Sequence, residues 1–183
     1  KRVLEQLLAL SRIDAGVWVL HPAPLSLAEY TEALGEKLLP LARDKGIELK
    51  VEVHPGTPPV ETDRDTLEQV LHNLLDNAIK FTPEGGEVAL SVEPLPGGAR
   101  IQIKDNGQGI PEEELEHIFD RFARVERSRS QRYGGSGLGL AVCRELLHLL
   151  GGKISVWSRS GVGTVFTVEL PLSPPDIPKP GGL

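Results

Sequence analysis

The sequence predicts a two-layer α/β sandwich with a mixed sheet packed on helices. Stretches with helical spacing and stretches with two-residue alternation are interleaved, but not in the strict alternation that a doubly wound parallel sheet requires. The chain has 183 residues, 39% of them hydrophobic and 25% charged, enough for one globular domain with a substantial core.

Residues 1–15 place Val3, Leu4, Leu7, Leu8, Leu10 and Ile13 near helical spacing, and Gly16 stops that helix. A short extended stretch follows over 17–20, then an amphipathic helix over 27–45 that ends before Gly46. Residues 47–53 alternate apolar and polar, the pattern of a half-buried strand. A Pro-rich loop at 55–59 leads into a helix over 63–81. Strands near 86–94 and 99–104 flank the turn Pro96-Gly97-Gly98. Pro111 opens a further helix with Glu112, Glu113 and Glu114 in its first turn, where acids suit the helix dipole. Residues 120–136 lack periodicity and read as a loop. A helix over 137–150 and strands near 153–158 and 163–170 complete the core. The Pro/Gly-rich tail, 172–183, is expected to add nothing to it.

No apolar run approaches the roughly 20 residues that span a bilayer, and no signal peptide opens the chain. Methionine is absent even at position 1, so a piece of a longer protein is expected. The single cysteine, Cys143, lies in an apolar helical stretch and is expected to be a buried structural thiol in a reducing cytoplasm. A net charge of −6 argues against bulk nucleic-acid binding.

Three segments carry chemistry. In the helix 67–81, Val70, Leu71, Leu74, Leu75, Ala78 and Ile79 form an apolar stripe, while Asn73, Asn77 and Lys80 share another face. Asparagine is a poor mid-helix residue. Two of them one turn apart, followed by lysine, suit either a solvated face or a site for a hard Mg²⁺ ion and phosphate. Next, Asp105-Asn106-Gly107-Gln108-Gly109-Ile110 follows a strand directly. A hairpin turn is the plain reading, yet a helix start follows instead of a returning strand. Glycines there allow close approach to a flat ligand, and the aspartate can accept from an exocyclic amino group. Third, Gly135-Ser136-Gly137-Leu138-Gly139-Leu140 opens a helix and leaves bare N–H groups that suit phosphate. Its spacing matches neither the P-loop nor the Rossmann fingerprint. The loop before it holds Arg121, Arg124, Arg127, Arg129 and Arg132 against two acids, either a solvated loop or a lid over a triphosphate. Gly161-Val162-Gly163-Thr164 links the last two strands.

Taken in this order, the segments resemble the histidine kinase catalytic domain of the gyrase–Hsp90–histidine kinase–MutL superfamily. NLLDNAIKF resembles its N box, DNGQGI the first glycine box, IFDRF the phenylalanine box, GSGLGL the second glycine box and GVGT the final one. The likeness runs over about 20–171 and implies a Bergerat-type ATP-binding fold. By this resemblance Asn77 ligates Mg²⁺ with Asn73 assisting, Lys80 meets phosphate, and Phe81 stands where the family usually has tyrosine. Asp105 reads the adenine amino group in a pocket shaped by Gly107, Gly109 and Ile110. Arg124 reaches the γ-phosphate, and Gly135, Gly137, Leu138, Gly139 and Leu140 wrap the phosphates, with Thr164 completing the ATP site. Asn73, Lys80 and Arg124 are the catalytic set that the resemblance implies.

Hydrolytic members and related serine kinases typically carry a glutamate general base four residues before the metal-binding asparagine. Asn73 cannot take a proton, which favours transfer to a neutral imidazole. LLALSRIDAG resembles the end of the family's second dimerisation helix, so residues 1–15 are assigned to it and 16–171 to the catalytic domain. The acceptor belongs in a context like HExRTP, and none of His21, His54, His72, His117 or His148 stands in one. The resemblance therefore implies a histidine protein kinase domain that does not autophosphorylate alone. Its implied partners are the dimerisation domain of the same protein and a response regulator, with a homodimeric parent and no nucleic acid. The domain is expected to be cytoplasmic, with membrane attachment of the parent left open. A superfamily ATPase or serine kinase, or a non-catalytic nucleotide-binding module, are the competing readings. Asp105→Asn or Gly137→Ala is expected to weaken nucleotide binding without unfolding the domain.

Overall fold

The computed structural model describes residues 2–123 and 136–174. Its elements run α1 (Arg2–Asp14), β1 (Ala23–Leu25), α2 (Leu27–Asp44), β2 (Glu48–Val53), β3 (Val60–Thr62), α3 (Arg64–Phe81), β4 (Glu87–Leu95), β5 (Gly98–Asp105), α4 (Glu112–Leu115), α5 (Gly139–Leu149), β6 (Lys153–Arg159) and β7 (Gly163–Pro171). The main sheet has the order β2-β4-β5-β7-β6. Only β2 and β4 pair in parallel; the other three pairings are antiparallel, so the sheet is mixed as predicted.

Period-two alternation turns Val88, Leu90 and Val92 of β4, Ile101 and Ile103 of β5, and Phe166 and Val168 of β7 to one buried face. Helices α2, α3 and α5 cover that face. The central helix α3 starts where Asp63 Oδ1 accepts from the Thr66 N–H at 2.8 Å. It buries Leu67, Leu71, Leu74, Leu75 and Ile79, each contributing about 1.5–3 kcal/mol of transfer free energy. Cys143 is buried on α5, its thiol donating to the Val70 carbonyl of α3 at 3.7 Å.

Several expectations need correction. The extended stretch at 17–20 joins no sheet, and a strand that the pattern did not mark follows it. The chain instead pairs at 23–25, where β1 lies antiparallel to β3, a three-residue strand the Pro-rich loop concealed. Trp18 Nε1 donates to Thr66 Oγ1 at 3.3 Å, and the His21 N–H to Asp63 Oδ2 at 2.6 Å, so this linker lies on the start of α3. Pro111 caps a single turn, and α5 begins at Gly139 because Gly137 has φ +70°, outside the helical region. The first tail residue, Leu172, is exposed and outside the core as expected of it, but its backbone is held: the Glu61 N–H donates to the Leu172 carbonyl at 2.7 Å, and the Leu172 N–H to the Gly97 carbonyl at 2.9 Å. Residues 175–183 lie outside the described residues.

Helix α1 packs against α5 through Ala9 and Leu10, whereas Val3, Leu4, Leu7 and Leu8 are exposed, Leu4 by 62%. Its apolar residues therefore serve two sides, only one of which the domain covers. Among the described residues no helix is long and apolar enough to cross a membrane.

Candidate functional site

Strand register places polar groups on the buried face of the sheet. Asp105 stands opposite Val88 on one side and Thr164 on the other, and Thr164 stands opposite Ser158. The next row along the same face is wholly apolar: Val51, Leu90, Ile103, Phe166 and Val156. Asp105, Thr164 and Ser158 thus form a polar ledge at the margin of the core, where β5 ends and the glycine turn begins.

Asp105 is only 7% exposed. Its Oδ1 accepts from the Gly107 N–H at 2.9 Å, and its carboxylate also accepts from the Thr164 N–H. Burial pushes its pKa up and these two donors pull it down, yet the value stays above the ordinary carboxylate range. Two donors therefore do not offset the desolvation, and a third, brought by a ligand, would stabilise the charge further.

Ser158 holds the ledge together, and sequence reasoning missed it. Its Oγ accepts from the Ile110 N–H at 2.8 Å, donates to the Gly163 carbonyl at 2.8 Å, and lies 2.9 Å from Thr164 Oγ1. The signal was a serine at the inward position of a strand whose preceding inward residues are Ile154 and Val156. Asn106, also unassigned, anchors the turn by accepting from the Glu87 N–H at 2.8 Å. Gly109 has φ +67°, and a Cβ there would lie 2.0 Å from the Arg159 carbonyl oxygen, so only glycine fits.

The N-box helix meets this turn at its C-terminal end. The Gln108 N–H points to the Phe81 carbonyl at 3.4 Å, and a Cβ on Gly107 would lie 2.6 Å from the same oxygen. Phe81 is exposed at its edge, with the Lys80 ammonium 5.2 Å above the ring. Asn77 and Lys80 are half-buried, but Asn73, expected on the same polar face, is only 7% exposed. Its surroundings include the third glycine of the second glycine box: a Cβ on Gly139 would lie 3.9 Å from Asn73 Oδ1. Carboxamide oxygens are hard donors of the kind Mg²⁺ accepts. Among the described residues no three His, Cys, Asp or Glu side chains cluster to hold a metal.

The second glycine turn is pinned to the phenylalanine segment. The Phe122 N–H donates to the Gly137 carbonyl at 2.9 Å, and Phe119 packs edge-on against Phe166, ring centroids 6.4 Å apart. At Gly137 a Cβ would lie 2.6 Å from the Phe122 carbonyl carbon and 2.7 Å from Ala123 O. An alanine there would disturb the fold itself, so Gly137→Ala cannot probe binding alone, contrary to expectation. Leu138 is wholly buried and half-buried Leu140 packs on the core, which leaves only their backbones for a ligand. No side chain caps the start of α5. Arg124 and Gly135, with the arginine-rich loop 124–135, lie outside the described residues.

The first glycine box thus joins the C-terminal end of α3 to the final glycine turn by hydrogen bonds, and the second glycine box comes close to Asn73 in the middle of the same helix. The Histidine kinase-, DNA gyrase B-, and HSP90-like ATPase family matches residues 62–174. The sensor histidine kinase AruS of Pseudomonas aeruginosa is 39% identical over 180 residues, covering 93% of this chain and 18% of AruS. Curated relatives are much longer: the chain spans 12% to 32% of their lengths. The crystal structure of full-length ShkA in complex with AMPPNP superposes with a TM-score of 0.84 at 30% identity, covering 97% of this chain and 36% of ShkA. The catalytic domain of histidine kinase ThkA superposes at 0.72 with 31% identity, covering 83% of this chain and 96% of that domain. ThkA in complex with the response regulator protein TrrA superposes at 0.75 with 27% identity, covering 96% of this chain and 50% of ThkA.

Proposed function

This chain belongs to the Histidine kinase-, DNA gyrase B-, and HSP90-like ATPase family, as a histidine kinase catalytic domain, and on that premise we propose that it binds ATP with Mg²⁺ and passes the γ-phosphate to a histidine on a dimerisation domain. One observation carries the reading. The turn that follows the buried carboxylate of Asp105 meets the C-terminal end of α3 at Phe81, while Gly139, at the start of α5, faces Asn73 just over two turns earlier on the helix that also bears Asn77 and Lys80. An amino-group acceptor, hard oxygens and bare helix-start N–H groups follow one another along α3 in the order that adenine, metal and phosphates have in ATP, which supports the reading.

In this reading Asp105 accepts from the adenine amino group, with Gly107, Gly109, Ile110 and Thr164 forming the pocket floor and Phe81 packing at its edge. Lys80, the backbones of Gly135, Gly137, Leu138, Gly139 and Leu140, and Arg124 hold the phosphates. The donor set fits Mg²⁺, since Asn73 and Asn77 offer carboxamide oxygens and such an ion commonly completes its shell with water and substrate phosphates. When bound, it would neutralise charge on the phosphate oxygens during transfer. The protein's own task is positioning. Asn73 cannot serve as a base for water, whereas a neutral imidazole has a lone pair and needs none.

The exposed apolar side of α1 supports pairing with the rest of a dimerisation domain in a homodimeric parent. The phosphohistidine then serves a response regulator, the kind of partner with which ThkA was crystallised. The domain works in the cytoplasm and contacts no nucleic acid. Calorimetric titration with ATP tests the reading. Binding strengthened by Mg²⁺, with that gain lost in Asn77→Ala, is expected; no ATP binding by the folded wild-type chain would overturn it.

A further inference from the structure

Gln6 is a buried polar side chain that the nucleotide reading does not use. It lies on the inner face of α1 beside Ala9 and Leu10 and is 6% exposed. A buried carboxamide requires partners. Its Oε1 accepts from Ser136 Oγ at 2.6 Å, and Ser136 Oγ in turn accepts from the Leu138 N–H at 3.2 Å. Gln6 Nε2 lies 3.4 Å from where a Cβ on Gly139 would be. Just over two turns further along α1, Asp14 receives both NH groups of Arg121 at 2.7 and 2.8 Å. Arg121 adjoins Phe122, whose N–H holds the Gly137 carbonyl. Helix α1 therefore grips the second glycine turn directly at one point and through the phenylalanine segment at another.

We propose that Gln6 is a positioning residue for the phosphate-binding turn. By fixing the Ser136 hydroxyl, it holds the 136–139 backbone in the shape that receives phosphate, so nucleotide affinity depends on α1 being seated. The proposal rests on the nucleotide reading and adds that part of the site's order comes from outside the 62–174 family match. The contact is a relay through two side chains, so Gln6 never touches the ligand.

The test compares ATP with adenosine, which lacks the phosphates, in the full chain by calorimetry. Gln6→Leu keeps the side-chain volume and removes the acceptor. It is expected to weaken ATP binding about five- to ten-fold, the scale of one net hydrogen bond, and to leave adenosine binding unchanged. Ser136→Ala should give the same selective loss, and the double variant no further loss. Unchanged or tighter ATP binding in Ser136→Ala, or equal losses for ATP and adenosine, would overturn the proposal. Wild-type chain that binds neither ligand would instead refute the nucleotide reading before any variant is made.

Discussion

Replacing Asp105 by asparagine separates recognition from stability at one buried position. Asparagine keeps one acceptor oxygen, enough to retain the Gly107 N–H now held at 2.9 Å. It replaces the other oxygen with a donor, which would face the adenine amino group. A hydrogen bond to a charged group is worth about 1.5–3 kcal/mol, so ATP affinity should fall roughly 10- to 150-fold. Stability should change little, within about 1 kcal/mol, because removal of a buried charge offsets a weakened hydrogen bond from the Thr164 N–H. The pH dependence has a defined sign. Burial raises the folded-state pKa of Asp105 above its ordinary 3.8, so this group's stabilisation is full below 3.8 and lost as pH rises through the raised value. Any advantage of Asp105→Asn in stability should appear only above that value and vanish below 3.8. Calorimetry with ATP and with inosine triphosphate, which has a carbonyl in place of the amino group, provides the assay. The wild type should prefer ATP and the variant should lose that preference. Unchanged preference in a folded variant would refute the role assigned to Asp105.

Three further outcomes follow from the geometry. Gly139→Ala should leave the fold intact or stabilise it by up to about 1 kcal/mol, because the new methyl meets only the Gln6 and Asn73 side-chain ends at 3.4 and 3.9 Å. The same methyl narrows the proposed phosphate seat, so ATP affinity should drop while the thermal midpoint holds. Gly137→Ala should instead lower the unfolding free energy, by about 1–3 kcal/mol in denaturant unfolding, from its φ of +70° and its backbone clashes. Asp63→Ala should cost about 1–2 kcal/mol through loss of the α3 cap. Burial raises the Asp63 pKa, but donors from His21 and Thr66 outweigh it and leave the value lowered. The stability it supplies is thus present above 3.8 and lost as pH falls below, and acid unfolding of the variant should lack that component.

The sequence revealed the long elements because their periodicity is strong: the α3 stripe from Val70 to Ile79 and the alternation of β4, β5 and β7 all reappear as buried faces. Strands β1 and β3 were not legible, since three residues carry no period and their pairing is decided by tertiary contact. The start of α5 was misplaced by two residues, because a left-handed glycine leaves no trace in hydrophobic pattern. In the site, glycines and polar helix positions stood out as locally unfavourable choices. Ser158 and Gln6 did not, because serine on a strand and glutamine on a helix are ordinary residues until a partner from elsewhere reaches them.

The proposed reaction is transfer of the γ-phosphate to a histidine carried on a dimerisation domain. The chain should be incubated with γ-labelled ATP and Mg²⁺, alone and with a separate dimerisation domain bearing its histidine. No label on the chain alone, acid-labile label on the added domain, and loss of that label with Asn77→Ala are expected. Steady release of inorganic phosphate by the chain alone, abolished by Asn77→Ala and with no label on the added domain, would contradict that transfer.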